Sequence, residues 1–163
     1  ELCMILPQNH LEPLSGNKVN KIINGKWLKD RNNYDRAMCS VNGWKCIQER
    51  HYDALINGKK VEVKKTKSNS VIIKLQQLAE IILKPELSDI FYLFIKTDNN
   101  QNVILDTVQV KGIDLCKHIG MTQNKAKQVI HLHQDFQCTI QTSISFSDVK
   151  DQCEYESYKI VTK

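Results

Sequence analysis

The sequence predicts an α/β (α+β) domain built on a mixed central β-sheet flanked by helices, and three observations carry that expectation. Asn57-Gly58 stands between two runs that alternate like strands, the strongest short-range hairpin signal, because both residues tolerate the positive φ of a type I′ turn. "DIFYLFIKT" (Asp89–Thr97) is a near-continuous apolar run, as expected of a central strand buried on both faces. Helical apolar spacing recurs between the strand patterns, so helices and strands share one chain order rather than two separate blocks. With 163 residues, 41% of them hydrophobic, the chain can bury one real core, and we read 1–163 as a single domain. Within it lie an N-terminal helical region (14–42), a central core (43–110) and a C-terminal part of helices and a strand (111–163).

Taken in order, Pro7 and Pro13 leave the opening dozen residues irregular. Ser15-Gly16-Asn17 is placed to start a helix through Val19, Ile22, Ile23 and Trp27, and a second helix carries Tyr34, Ala37, Met38 and Val41 as far as Asn42-Gly43. Trp44 to Ile47 reads as a strand leading into the hairpin. After Lys67, Ser68-Asn69-Ser70 reads as the cap of a helix through Val71, Ile72, Leu75, Leu78, Ile81, Ile82 and Leu83, stopped by Pro85. "DNNQN" is a turn, "VILDTVQV" (Val103–Val110) returns as a strand, and "CTIQTSISF" (Cys138–Phe146) alternates like a late one.

The hairpin register brings charged groups together. With Asn57 and Gly58 as the loop, Ile56 faces Lys59, and pairing carried outward sets Asp53 opposite Glu62 and His51 opposite Lys64. Alternation puts Asp53, Glu62, Lys64 and His51 on one face, with Leu55 and Lys60 nearer the turn. Tyr52, Ala54, Ile56, Val61 and Val63 form the other, apolar face. Opposed carboxylates whose Cβ atoms stand roughly 4.5–5.5 Å apart repel each other. Such a pair is costly unless one acid stays protonated or a cation bridges the two. A hard divalent cation with oxygen ligands is the simplest relief; a merely solvated hairpin face is the plainer alternative. Glu49, four residues before Asp53, would project from the same face of a continuous strand as an accessory acid, or else is a surface glutamate. Asp35 in the preceding helix is a weaker candidate of the same kind.

Charge is uneven. Residues 17–67 hold thirteen Lys/Arg against five Asp/Glu, an excess of eight within a chain of net charge +5. A basic half around an acidic pair suits a polyanionic partner such as nucleic acid, although lysine-rich faces also serve solvation. Lys65 and Lys67 continue the strand and are placed to meet a nucleic-acid backbone, as are Lys18, Lys21, Lys26 and Lys29. No apolar run approaches the roughly 18 residues of a membrane span. "ELCMILPQNH" lacks a basic region ahead of its short apolar stretch and is not read as a signal peptide. Six scattered cysteines without a C-x-x-C pair are read as reduced thiols, so the expected setting is intracellular (cytoplasmic).

Asp53-x8-Glu62-Val63-Lys64 resembles the D…(D/E)-x-K signature of the PD-(D/E)XK nuclease superfamily, which includes type II restriction endonucleases and archaeal Holliday-junction resolvases. The likeness runs from about Gly43 to Thr97: a strand with Asp53, a strand with Glu62 and Lys64, a helix, then a buried strand. The family's proline before the aspartate is absent, and Tyr52 stands there. The resemblance implies a restriction-endonuclease-like core over 43–110 and Mg²⁺ held by Asp53, Glu62 and the backbone carbonyl of Val63. It implies that Lys64 orients or deprotonates the attacking water or stabilises charge in the transition state. The activity so implied is Mg²⁺-dependent hydrolysis of double-stranded DNA by a homodimer, with a junction resolvase as the runner-up within the superfamily.

"DLCKHIGMTQNKAKQVI" (Asp114–Ile130) resembles a helix-turn-helix, with Gly120 at the turn and Gln123, Asn124, Lys127 and Gln128 on the second helix, types that can read base edges. A non-catalytic DNA-binding module built on these helices is therefore the competing reading from a different class. Cys116, His118, His131, His133 and Cys138 are potential zinc ligands, but their spacing matches no usual structural site.

Overall fold

The computed structural model describes residues 39, 43–47, 49–101, 104–152 and 155–156. The two N-terminal helices expected over 14–42 lie outside these residues apart from Cys39, as do Asp35, Lys18, Lys21, Lys26 and Lys29.

The hairpin forms where Asn57-Gly58 permits it: both residues adopt positive φ, 51° and 80°, and Ile56 pairs with Lys59. Its strands are β2 (Ala54–Ile56) and β3 (Lys59–Thr66); β1 (Lys45–Cys46) pairs antiparallel with β2 at the edge. The expected Trp44–Ile47 strand is thus real but shorter. β5 (Phe91–Thr97) pairs parallel with β3 and antiparallel with β6 (Ile104–Lys111), and β8 (Tyr155–Glu156) closes the far edge. Among the described residues the mixed sheet therefore has six strands in the order β1-β2-β3-β5-β6-β8. Its centre is the apolar run, where Leu93, Phe94 and Ile95 are buried as a strand covered on both faces requires.

A parallel β3–β5 pair needs a crossover long enough to return the chain to the same end of the sheet. Here it comprises β4 (Ser70–Lys74), helix α1 (Leu75–Leu83) and a 3₁₀ turn, Pro85–Leu87. The sequence expectation of one helix from about residue 70 fails over its first turn. Val71 and Ile73 are buried while Ile72 is exposed, a period of two, and β4 pairs antiparallel with β7 (Gln141–Ser145) in a separate two-stranded sheet. A run of β-branched residues prefers that pleated surface to a helix, where the preceding turn restricts χ1. The helix ends at Leu83, since Lys84 precedes Pro85 and is held extended.

The remaining helices are α2 (Gly112–His118), α3 (Gln123–Phe136) and α4 (Phe146–Gln152). Gly120 makes the turn between α2 and α3 at φ 72°, and the Thr122 hydroxyl caps α3 by accepting from the Lys125 N–H. The main core joins Leu78, Ala79 and Ile81 of α1 to Tyr92 and Phe94 of β5, Val108 and Val110 of β6, and Leu115 and Cys116 of α2. Among the described residues no helix is long and apolar enough to cross a membrane.

Candidate active site

Glu62 and Lys64 sit two apart in β3 and so share a face, the one that carries their β5 register partners Tyr92 and Phe94 and is covered by α1. Val61 and Val63 point the other way and are buried with Ala54 and Ile56. A glutamate facing inward is unusual, and Glu62 is only 6% exposed.

The ladder between β2 and β3 ends at Ala54–Val61, and the chain bends just before it. Asp53 donates its N–H to the Val61 carbonyl, and its carboxylate Oδ2 accepts the Val63 N–H at 2.8 Å. Its side chain thus fills the place a continuing strand would take. In an extended strand the N–H and C=O of one residue point to the same edge, so the Val63 carbonyl also faces the Asp53 side. The bend corrects two expectations. Tyr52 does not join the Ala54–Ile56 face: it packs on the main core, with the Lys60 ammonium 5.9 Å from its ring centre. His51 does not oppose Lys64, because its Nε2 lies 3.1 Å from Glu80 Oε2 on α1. The same break removes the argument for Glu49, which is exposed in a turn closed by its N–H to the Tyr52 carbonyl rather than aligned in a strand with Asp53.

Glu62 receives Lys64 Nζ at 3.2 Å. Its pKa is nonetheless raised to about 8, first by burial, then by the neighbouring negative charge of Asp53 and a hydrogen bond shared with it; Lys64 pulls the other way without prevailing. Two carboxyl groups meet here, and burial together with their mutual repulsion favours a proton on Glu62. Tyr92 beneath them has its phenol pushed well above the ordinary value, by burial and then by the charges of Glu62, Cys116 and Asp53.

This donor set suits a hard divalent cation. Among the described residues no three His, Cys, Asp or Glu side chains gather into a metal-binding group. A cation here would take two carboxylates and complete its shell from a backbone carbonyl, water and substrate oxygens, the pattern of Mg²⁺ rather than of a closed structural site. Three of the five zinc ligands considered from sequence have other partners. Cys116 is buried, donates to the Leu78 carbonyl and has its thiol pushed up to about 12 by burial; His131 pairs with Asp135, and His133 with the Cys138 carbonyl.

The remaining sequence candidates are spread out. Lys65 alternates to the face opposite Lys64, and its ammonium donates to Gln101 Oε1 at 2.6 Å. Lys67 is exposed in the bend after β3. Gln123, Asn124, Lys127 and Gln128 are exposed on the first two turns of α3. Sequence reasoning missed Glu80, which is 4% exposed on α1 and holds Arg50, His51 and Lys84. The signal for it was a lone acid inside the apolar run "LAEIIL".

No protein-family model matches the sequence, and no curated protein matches it.

Proposed function

We propose that this chain is a Mg²⁺-dependent endonuclease hydrolysing double-stranded DNA, of restriction-enzyme type and related to the PD-(D/E)XK nucleases. The observation that carries the proposal is the Glu62 carboxyl, buried between Asp53 and Lys64 with its pKa raised to about 8. A buried acid pair beside a lysine costs stability without a return, unless the site takes up a cation.

Asp53, Glu62 and the Val63 carbonyl would hold Mg²⁺, which when bound neutralises charge on phosphoryl oxygens and acidifies a water. The chain's own groups divide the remaining work. The Val63 N–H fixes the Asp53 carboxylate at 2.8 Å, so that it need not reorganise when substrate arrives. Lys64, 3.2 Å from Glu62, orients the attacking water or takes its proton, or stabilises negative charge on the phosphoryl group. Lys67 and the exposed Gln123, Asn124 and Lys127 would contact DNA, the first at the backbone and the others at base edges. Cutting both strands requires two such sites, so the proposed working unit is a homodimer.

The test incubates purified protein with plasmid and with four-way-junction DNA, with and without Mg²⁺. Discrete plasmid fragments that require Mg²⁺ are the expected result. Junction-only cutting would redirect the reading to a resolvase. Binding without cleavage in either condition would leave a DNA-binding module resting on α2 and α3.

A further inference from the structure

We propose that Arg50 and Lys84, organised by the buried Glu80, form a binding point for a backbone phosphate of the DNA beside the carboxylate pair; this inference rests on the nuclease reading above. Glu80 uses both oxygens. Oε1 accepts from Arg50 Nη2 at 2.9 Å, while Oε2 lies 3.0 Å from Lys84 Nζ and 3.1 Å from His51 Nε2. A single negative charge therefore serves two permanent cations, leaving an excess of +1 before His51 is counted.

The three partners differ in exposure in a way that a purely structural ion pair does not need. The Glu80 side chain is 6% exposed, but those of Arg50 and Lys84 are 65% and 50% exposed. Each cation thus spends one N–H inward and turns its others toward solvent. A guanidinium and an ammonium held on one rigid acid are pre-organised, which lowers the conformational cost of gripping an anion. The Gln77 side-chain amide of α1 also donates to the Arg50 carbonyl in a long hydrogen bond of 3.4 Å.

Position ties the cluster to the site. Arg50 stands three positions before Asp53, and an extended chain covers at most roughly 3.6 Å per residue, so the two backbones lie within about 11 Å. Glu80 stands on α1, the helix that covers the face bearing Glu62 and Lys64. With the reach of the two side chains added, a phosphate held at Arg50 would lie within roughly 20 Å of one placed at Asp53, about six nucleotides at about 3.4 Å of rise each along a strand.

The experiment measures affinity for a fluorescein-labelled DNA duplex in Ca²⁺ across a range of salt, for wild type, Arg50→Gln, Lys84→Gln and the double variant Arg50→Gln/Lys84→Gln. The double variant is expected to bind several-fold more weakly, with a slope of log K against log salt shallower by about 0.9 for the lost phosphate contact. Because Glu80 then loses partners, the triple variant Arg50→Gln/Glu80→Gln/Lys84→Gln, which removes the stranded acid as well, is measured alongside to separate lost folding from lost contact. It should show the same loss of affinity at a thermal midpoint near that of wild type. Unchanged affinity and slope in folded variants of a wild type that does bind would overturn this inference alone. A wild type that binds no duplex would overturn it together with the nuclease reading.

Discussion

Two glutamates in this molecule expose almost equally little surface, Glu62 at 6% and Glu80 at 4%, but Glu80 lies less deep in the protein, and the two carboxyl groups are shifted in opposite directions. Glu62 has an aspartate and one lysine for neighbours, and its pKa rises to about 8. Burial also pushes Glu80 upward, but hydrogen bonds from Lys84 and His51 and the charge of Arg50 outweigh it and hold the carboxyl below its ordinary value. Glu80 is both less deeply desolvated and better paired than Glu62, and the two differences act in the same direction. Glu80 has counter-charge to spare. Glu62 has a single lysine set against burial and a second carboxylate, which is why it reads as a site and Glu80 as a support.

The sharpest way to break that contrast is through activity. Lys64→Ala and Glu62→Gln should each lower single-turnover cleavage by about 10²–10⁴-fold, the range for removing a group that acts on the reacting atoms. DNA binding by Lys64→Ala should stay largely intact, since one lysine is a small part of a basic surface. Glu80→Gln should keep the rate of the chemical step within several-fold and lose affinity instead. A Lys64→Ala protein that cuts at near wild-type rate would remove Lys64 from the site.

Stability against pH should separate the two acids next, by on the order of a few kcal/mol. The folded pKa of Glu62 lies above its unfolded value, so the folded state binds the extra proton. The associated stability is fully present below pH 4.5 and is lost as pH rises toward about 8, at roughly 1.4 kcal/mol for each pH unit crossed between those two values. Glu62→Gln should lack this decline and gain on wild type across the same window. For Glu80 the sign reverses: its folded pKa is depressed, so its contribution is present above 4.5 and fades as the solution is acidified. Denaturant unfolding of the three metal-free proteins between pH 4 and 9 measures both trends. Adding Mg²⁺ at the alkaline end should restore wild type and leave Glu62→Gln unmoved.

What could be read from the sequence follows the range of the interactions involved. The Ile56–Lys59 register, the buried β5 strand and the stop at Pro85 rest on neighbours a few residues apart, and all appear as expected. The meeting of Asp53 with Glu62 was legible because the two-residue turn marks the register in the sequence. Ser70–Lys74 misled because its alternation makes sense only with β7 opposite, some seventy residues away, so local helical spacing gave the wrong period. His51, Tyr52 and Glu49 misled because strand alternation was carried past Ala54, where the chain bends to put a side chain in the backbone's place. Glu80 was hidden for a related reason: its partners Arg50 and His51 come from that same bend, which no periodicity describes.

The smallest predicted effect asks what keeps Asp53 beside Glu62, the turn or the buried face. Gly58 has φ 80°, and a Cβ built there meets nothing within 4 Å, so Gly58→Ala adds backbone strain without a clash. A residue with a Cβ in that conformation costs roughly 1–2 kcal/mol, so the thermal midpoint should fall by a few degrees. A slip of β3 by one residue would turn Glu62 to the opposite face and bring Val61 and Val63 out of theirs, where both are now buried. Exposing two buried valines and placing a glutamate in their apolar face costs more than the strain, at about 25 cal/mol for each Å² of apolar surface returned to water. The buried face should therefore hold the register, and Gly58→Ala should keep both its cleavage rate and the pH-dependent stability decline that marks Glu62. Loss of that decline in a folded Gly58→Ala protein would mean that the turn, not the core, brings the two carboxyl groups together.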